Sequence, residues 1–311
     1  MSKTMEQLAV VFPGQGSQSV AMMASFADHA VVRETFAEAS EALGQDLWQL
    51  VADGPAEALG QTVNTQPVML TAGIAVWRAW LAQGGARPAL VAGHSLGEYA
   101  ALVAAGAIGF ADAVQLVRFR AQAMQEAVPV GEGGMAAILN LAPELVIEAC
   151  AEAAQGQEVA PANMNSPVQI VIAGHAAAVE RAMEACKARG AKRAVSLPVS
   201  APFHSALMKP AAERLAGRLA QVNISVPEIA VLNNVDVQTE TSPEAIRDAL
   251  VRQAYSPVRW IESVQAMRAR GINTVYEFGP GKVLAGLVKR IDGEMAVEAV
   301  TDAEALARLV Q

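Results

Sequence analysis

The chain has 311 residues, enough for one large domain or two unequal ones, and 53% of them are hydrophobic, so a core can close without disulfide or metal staples. Its longest uncharged apolar run, Tyr99 to Ala111, falls well short of the roughly 20 residues a membrane span needs. With 31 acidic against 23 basic side chains the formal net charge is −8, which argues against general nucleic-acid binding because a phosphate backbone repels such a surface.

The opening MSKTMEQLAVVFPG puts Glu6 and Gln7 before a very short apolar stretch, where a secretory leader would carry a basic region and a long apolar one, so the chain reads as mature and cytoplasmic. Residues 8–12, LAVVF, predict a strand that runs into Pro13 and Gly14, and PGQGSQ reads as a glycine-rich turn capping a helix near Ser17. TQPVMLTAGIAVWRAWLAQGG predicts a helix capped by Thr65 and stopped by Gly84 and Gly85, and residues 89–93 predict a second strand. Strand, helix, strand, helix is the pattern of a parallel sheet covered on both faces.

Between Val130 and Pro198 the pattern changes. GGMAAILN reads as a strand, PELVIEACAEAAQ as a helix, EVAPANM and PVQIVIAG as paired strands, AAAVERAMEACKARG as a helix and AKRAVSLPV as a strand. That order, βαββαβ, is the ferredoxin-like split unit. It predicts a small domain over residues 130–198, inserted into a discontinuous large α/β domain of residues 1–129 and 199–311. Cys150 and Cys186 fall on its helices with no histidine or second cysteine at ligand spacing, so buried free thiols are expected and no metal site. Further strands are expected near IAVLNN and TVYEF, and helices around residues 205–221, 243–254 and 281–290.

The chemistry gathers at VAGHSLGEY. Ser95 stands in a GxSxG frame between a predicted strand and a predicted helix, as in a nucleophile elbow, where small residues two before and two after (Gly93, Gly97) spare the turn from collision. The helix beginning at Leu96 would aim its positive end at the site. The frame alone also fits a serine N-cap between tightly packed glycines. A nucleophilic serine needs a base, and there are four histidines. His94, adjacent to Ser95, should point to the opposite face of the pleat. His29 lies in an ordinary helical stretch and His175 between a small-domain strand and helix. His204, in APFHSALMKP, falls just after the inserted unit, where a crevice between domains would lie, and is the candidate base.

FPGQGSQ at 12–18, GHSLGEYAAL at 93–102, RAQAMQ at 120–125, PFHSALM at 202–208 and FGPGKVLAGLVKR at 278–290 together resemble the malonyl-CoA:acyl carrier protein transacylases of bacterial fatty acid synthesis. The same motifs occur in acyltransferase domains of polyketide and animal fatty acid synthases. The resemblance runs in order from about residue 8 to about residue 290 and implies a hydrolase-like α/β domain with a ferredoxin-like insertion.

It implies Ser95 as the acyl carrier, His204 as its base and the main-chain carbonyl of Gln253 as the group orienting that base. It also implies an oxyanion hole from the main-chain N–H groups of Gln15 and Leu96, and Arg120 as the grip on the malonyl carboxylate. Met124, one turn from Arg120, shares its face, and Phe203 before the base goes with malonyl over methylmalonyl. Many stand-alone bacterial enzymes carry a smaller residue at that position. Asn163 and Asn165 are candidate pocket walls or parts of a hairpin turn. Read without the resemblance, Arg120 could be a surface arginine on an amphipathic helix and Gln253 a polar helix end.

No bound cofactor is implied: malonyl-CoA is a substrate and phosphopantetheine arrives on the acyl carrier protein. That partner is acidic in this family, so an acidic chain needs a local basic patch, for which Lys187, Arg189, Lys192 and Arg193 are candidates; an ordinary solvated helix end is the other reading. Two other functions stay open on the same motifs, the transacylase subunit of a malonate decarboxylase and a non-catalytic docking subunit.

Overall fold

The computed structural model describes residues 4–199 and 201–310. Residues 1–3, 200 and 311, which the sequence reading assigns to the large domain, lie outside the described residues. β1 (Thr4–Phe12) is followed by α1 (Ala30–Leu43), α2 (Leu47–Asp53), α3 (Ala56–Gly60), α4 (Thr62–Ala82), β2 (Arg87–Gly93), α5 (Gly97–Ala104) and α6 (Phe110–Glu126). Next come β3 (Gly133–Leu139), α7 (Pro143–Ala154), β4 (Val159–Ser166), β5 (Gln169–His175), α8 (Ala176–Ala188) and β6 (Arg193–Ser196). The chain closes with α9 (Lys209–Leu219), β7 (Ala230–Leu232), α10 (Pro243–Gln253), α11 (Trp260–Ala269), β8 (Thr274–Phe278), α12 (Val283–Ile291), β9 (Ala296–Val300) and α13 (Ala303–Val310).

Among the described residues one sheet is parallel throughout, in the order β7-β2-β1-β8-β9. Leu8 to Phe12 are fully buried on both faces of its central strand, which explains why that stretch reads as an unbroken apolar run. Val10 and Phe12 face one core layer and Ala9 and Val11 the other, so helices cover both sides of the sheet. The second sheet is antiparallel, in the order β4-β5-β3-β6, with α7 and α8 packed on it around Ile138, Ile170, Cys150 and Cys186. This is the βαββαβ unit expected from the sequence.

Two local expectations are corrected. The PGQGSQ loop does not run into a helix at Ser17: the Gly16 N–H turns onto Gln18 Oε1 at 2.7 Å, and the first helical turn comes at Ala24–Phe26. α4 begins at Thr62 rather than after a Thr65 cap. Thr65 Oγ1 bonds back to the carbonyls of Leu59 and Gln61, and Pro67 is accommodated in the second turn with one ladder donor missing. Among the described residues no helix is long and apolar enough to cross a membrane.

The two sheets meet beside the end of β2. Val258 donates its N–H to the Ala162 carbonyl at 2.8 Å, and Met164 donates to the Val258 carbonyl at 2.9 Å, tying β4 to the segment before α11. His94 Nε2 lies 2.7 Å from Asn165 Oδ1, a second tie beside the elbow.

Candidate active site

β2 delivers Ser95 to the top of the parallel sheet, and α5 starts two residues later. Ser95 has φ 53°, a left-handed conformation that a non-glycine residue holds only when its surroundings enforce it. They do so on both sides. A Cβ on Gly93 would lie 1.8 Å from the main-chain carbon of Gly97, and one on Gly97 would lie 2.0 Å from the Phe12 carbonyl oxygen. The main chain of Ser95 is held by side chains distant in sequence: its N–H donates to Asn234 Oδ1 at 2.8 Å, and its carbonyl accepts from Gln253 Nε2 at 3.0 Å.

His204 also has a left-handed backbone, φ 58°, and is 4% exposed. Its Nε2 lies 2.6 Å from Ser95 Oγ and its Nδ1 lies 2.9 Å from the Gln253 carbonyl oxygen. A carbonyl only accepts, so Nδ1 carries the proton and the Nε2 lone pair faces the serine hydroxyl. Burial, and then the positive charge of Arg120, hold the imidazole down to about 3. It is therefore neutral near pH 7, the form that can take a proton.

Arg120 reaches the same oxygen from α6. It is 2% exposed, and its Nη2 donates to Ser95 Oγ at 3.2 Å and to Gln253 Oε1 at 3.0 Å, while Nη1 donates to Gln66 Oε1 at 2.8 Å. Its Nε is buried with no partner among the described residues. A guanidinium has five N–H donors, so capacity for an incoming anion remains. Burial lowers its pKa and the neighbouring Tyr99 and Glu98 raise it.

These groups open onto a cavity of about 400 Å³ whose lining includes Gln15, Leu96, Met124, Asn163, Phe203 and Arg120. Met124 and Phe203 belong to its apolar wall. Among the described residues the main-chain N–H groups of Gln15 and Leu96 have no protein acceptor, and both residues border the space beside Ser95. Asn163 on β4 lines the cavity with an unpartnered Oδ1. Asn165, also on β4, does not: it is bonded to His94. His94 borders the cavity, but its ring lies against Trp260 and its Nε2 on Asn165 rather than on Ser95. Gln253 stands behind His204 rather than on the cavity wall.

Three contributors were not read from the sequence. Glu98, 2% exposed, accepts from the Asn234 N–H and from Gln253 Nε2, both at 2.9 Å, and burial pushes its carboxyl up to about 7 against the pull of these donors. Asn234 and Gln66 supply the other new contacts. A charged residue inside the apolar pattern of GEYAALVA was the one available signal. Among the described residues no cluster of three or more His, Cys, Asp or Glu side chains could hold a metal ion.

The basic group at the end of α8 is partly matched by carboxylates. Lys187 Nζ lies 2.8 Å from Glu184 and Arg189 pairs with Glu152, whereas Lys192 and Arg193 are exposed with no carboxylate partner among the described residues.

Residues 9–308 match the family described as acyl transferase domain. The chain is 59% identical to the malonyl CoA-acyl carrier protein transacylase of Salmonella typhimurium over 97% of this chain and 98% of that one. It superposes on the crystal structure of an acyl-carrier-protein S-malonyltransferase from Burkholderia pseudomallei with a TM-score of 0.97, at 60% identity over 98% and 99% of the two chains. A malonyl-transacylase solved in complex with a type II PKS acyl-carrier protein is similar with a TM-score of 0.96, at 53% identity over 98% and 99% of the two chains.

Proposed function

The chain belongs to the acyl transferase domain family, and on that footing we propose how its residues carry out the transfer. It is an acyltransferase that moves the malonyl group of malonyl-CoA to acyl carrier protein. The observation that carries the residue assignment is the single oxygen of Ser95 held between His204 at 2.6 Å and Arg120 at 3.2 Å.

Ser95 Oγ attacks the thioester carbonyl carbon as His204 Nε2 takes its proton. The negative charge that develops on the carbonyl oxygen is received by the N–H groups of Gln15 and Leu96; fixed donors of this kind are worth roughly 10²- to 10³-fold in rate each. Collapse breaks the carbon–sulfur bond, and the proton on His204 returns to the departing CoA thiolate. The phosphopantetheine thiol of the carrier protein then attacks the malonyl-serine ester, giving its proton to His204, which passes it back to Ser95. No carboxylate is needed behind His204, because the Gln253 carbonyl fixes the tautomer and a thiolate leaves readily. The chemistry asks for no resident cofactor.

Arg120 gives the acyl pocket its preference. A malonyl carboxylate pairs with the buried guanidinium, while an acetyl group would leave it without an anion. Phe203 in the apolar wall fills the space a branch methyl would need. The carrier protein docks on Lys187, Arg189, Lys192 and Arg193 in this reading, and the cleft lies between the unit of residues 130–198 and the discontinuous domain of 1–129 and 199–311. We assign the enzyme to fatty acid synthesis and to the cytoplasm.

Intact-mass measurement after mixing with malonyl-CoA tests the core of this reading. A malonyl adduct on Ser95 is expected, absent in Ser95→Ala and passed to carrier protein on its addition, and methylmalonyl-CoA should leave the serine unmodified. A wild type that never carries the adduct would refute the mechanism.

A further inference from the structure

Glu98 lies one turn past Ser95 on α5, and the transfer as described gives it no part. Its Oε2 accepts from two groups far apart in the chain, the main-chain N–H of Asn234 and Nε2 of Gln253, both at 2.9 Å. Each of them in turn holds a group that reacts or binds. Asn234 brackets the elbow, accepting the Ser95 N–H through Oδ1 and donating Nδ2 to the Gly93 carbonyl, both at 2.8 Å. Gln253 donates to the Ser95 carbonyl, receives Arg120 Nη2 on its Oε1, and presents its own carbonyl to His204.

The orientation of the Gln253 carboxamide matters to all of these. Its Nε2 faces a carbonyl and Glu98 Oε2, an oxygen that accepts a second N–H as well, and its Oε1 faces a guanidinium, which only donates. A flipped amide would set oxygen against oxygen and NH₂ against the guanidinium. An acceptor at Glu98 adds to the Ser95 carbonyl and the Arg120 donor in favouring the working orientation, and with it the position of Arg120 on Ser95.

We propose that Glu98 is a positioning residue of the transferase, joining Asn234 and Gln253 through one oxygen so that the elbow, the His204 carbonyl support and the Arg120 fork are set together. This rests on the reading of Ser95, His204 and Arg120 given above. The side chain touches no substrate; it acts through its two partners.

The test is single-turnover loading of Ser95 from malonyl-CoA and from acetyl-CoA, in wild type, Glu98→Ala and Glu98→Gln, with thermal melts and near-UV circular dichroism to establish folding. Wild-type loading must be seen first, and its absence would count against the transferase reading instead. Glu98→Ala should load malonyl 10- to 100-fold more slowly with KM within threefold. Its malonyl-to-acetyl ratio should fall at least fivefold as the Arg120 fork loses its anchor. Glu98→Gln, which keeps an acceptor oxygen, should recover most of the lost rate and ratio. Adding Gln253→Ala to Glu98→Ala should slow loading by a smaller factor than Gln253→Ala slows the wild type. A wild-type rate in Glu98→Ala overturns the proposal, as does an unchanged malonyl-to-acetyl ratio or equal losses in the Ala and Gln variants. Should Glu98→Ala not fold, Glu98→Met, which keeps the side-chain length but has no acceptor oxygen, takes its place: the same fall in rate and ratio is expected, and an unchanged ratio overturns the proposal.

Discussion

Nη2 of Arg120 donates to Oγ of Ser95 at 3.2 Å. The residue proposed to recognise the acyl carboxylate therefore also rests on the atom proposed to attack. In that proposal, a malonyl carboxylate would offer the guanidinium a charged acceptor in place of a neutral hydroxyl, which would make recognition and release of the nucleophile one event. Charge-assisted bonds are worth about 1.5–3 kcal/mol each. Arg120→Ala should slow malonyl loading roughly 10- to 150-fold while leaving acetyl loading much less affected. Parallel loading assays with the two thioesters check this, and equal losses would remove Arg120 from specificity.

The low pKa of His204 makes a signed prediction for stability. Its folded value of about 3 lies below the ordinary 6.5, so the unfolded chain takes up the proton first as pH falls. Stability from this residue is complete above pH 6.5 and is lost progressively towards pH 3, by roughly 2 kcal/mol at pH 5. Glu98 and Glu277, each raised to about 7 by burial, act in the opposite sense between 4.5 and 7. Urea unfolding at pH 7 and pH 5 should therefore show a change towards pH 5 that is less favourable in wild type than in His204→Gln, by about 2 kcal/mol. Identical changes would mean that His204 is not held neutral by its site.

The elbow should tolerate no side chain at Gly93. A Cβ there meets the Gly97 main chain at 1.8 Å, and backbone on backbone cannot yield as a flexible side chain could. Gly93→Ala is expected to melt more than 10 °C below wild type or not to fold. Gly217→Ala is the control: Gly217 lies in α9 with nothing within 4 Å of the added carbon, and the change should stabilise by up to about 1 kcal/mol. Differential scanning calorimetry of the pair decides it.

The proposed docking patch is uneven. Because Lys187 and Arg189 already face carboxylates, the field available to an acidic carrier comes mainly from Lys192 and Arg193. Reversing Lys192 and Arg193 to Glu should raise the KM for carrier protein more than reversing Lys187 and Arg189, and the gap should shrink as salt rises. Malonyl loading from CoA, a separate half-reaction, should not change. A carrier KM unmoved by all four reversals would place docking elsewhere.

What the sequence disclosed of this site follows the range of each interaction. The elbow was legible because its sterics act over five residues, and the paired glycines are marks of that local constraint. Arg120 and Gln15 came from motifs, each a short stretch with a fixed neighbourhood, and His204 from elimination among four histidines and its place after the inserted unit. The network behind them was not legible: Glu98 meets Asn234 and Gln253 across separations of 136 and 155 residues, and no local pattern announces such a meeting. In the fold, the buried strand β1 was plain from its apolar run. β9 was missed because AVEAV is a short edge strand, mostly half-buried and interrupted by Glu298. α11 follows the tie at Val258, where tertiary bonding rather than periodicity sets its start.

Both cysteines of the chain lie under the antiparallel sheet, Cys150 on α7 and Cys186 on α8, and burial pushes their thiols up to about 12 and 11. Neither can react with an alkylating or disulfide reagent while that sheet and its helices stay closed. The rate at which the native protein consumes such a reagent is thus a clock for opening of this one unit, silent to the rest of the molecule. Comparing that clock with and without malonyl on Ser95 would report how firmly an acyl group on one side of the cleft quiets the other.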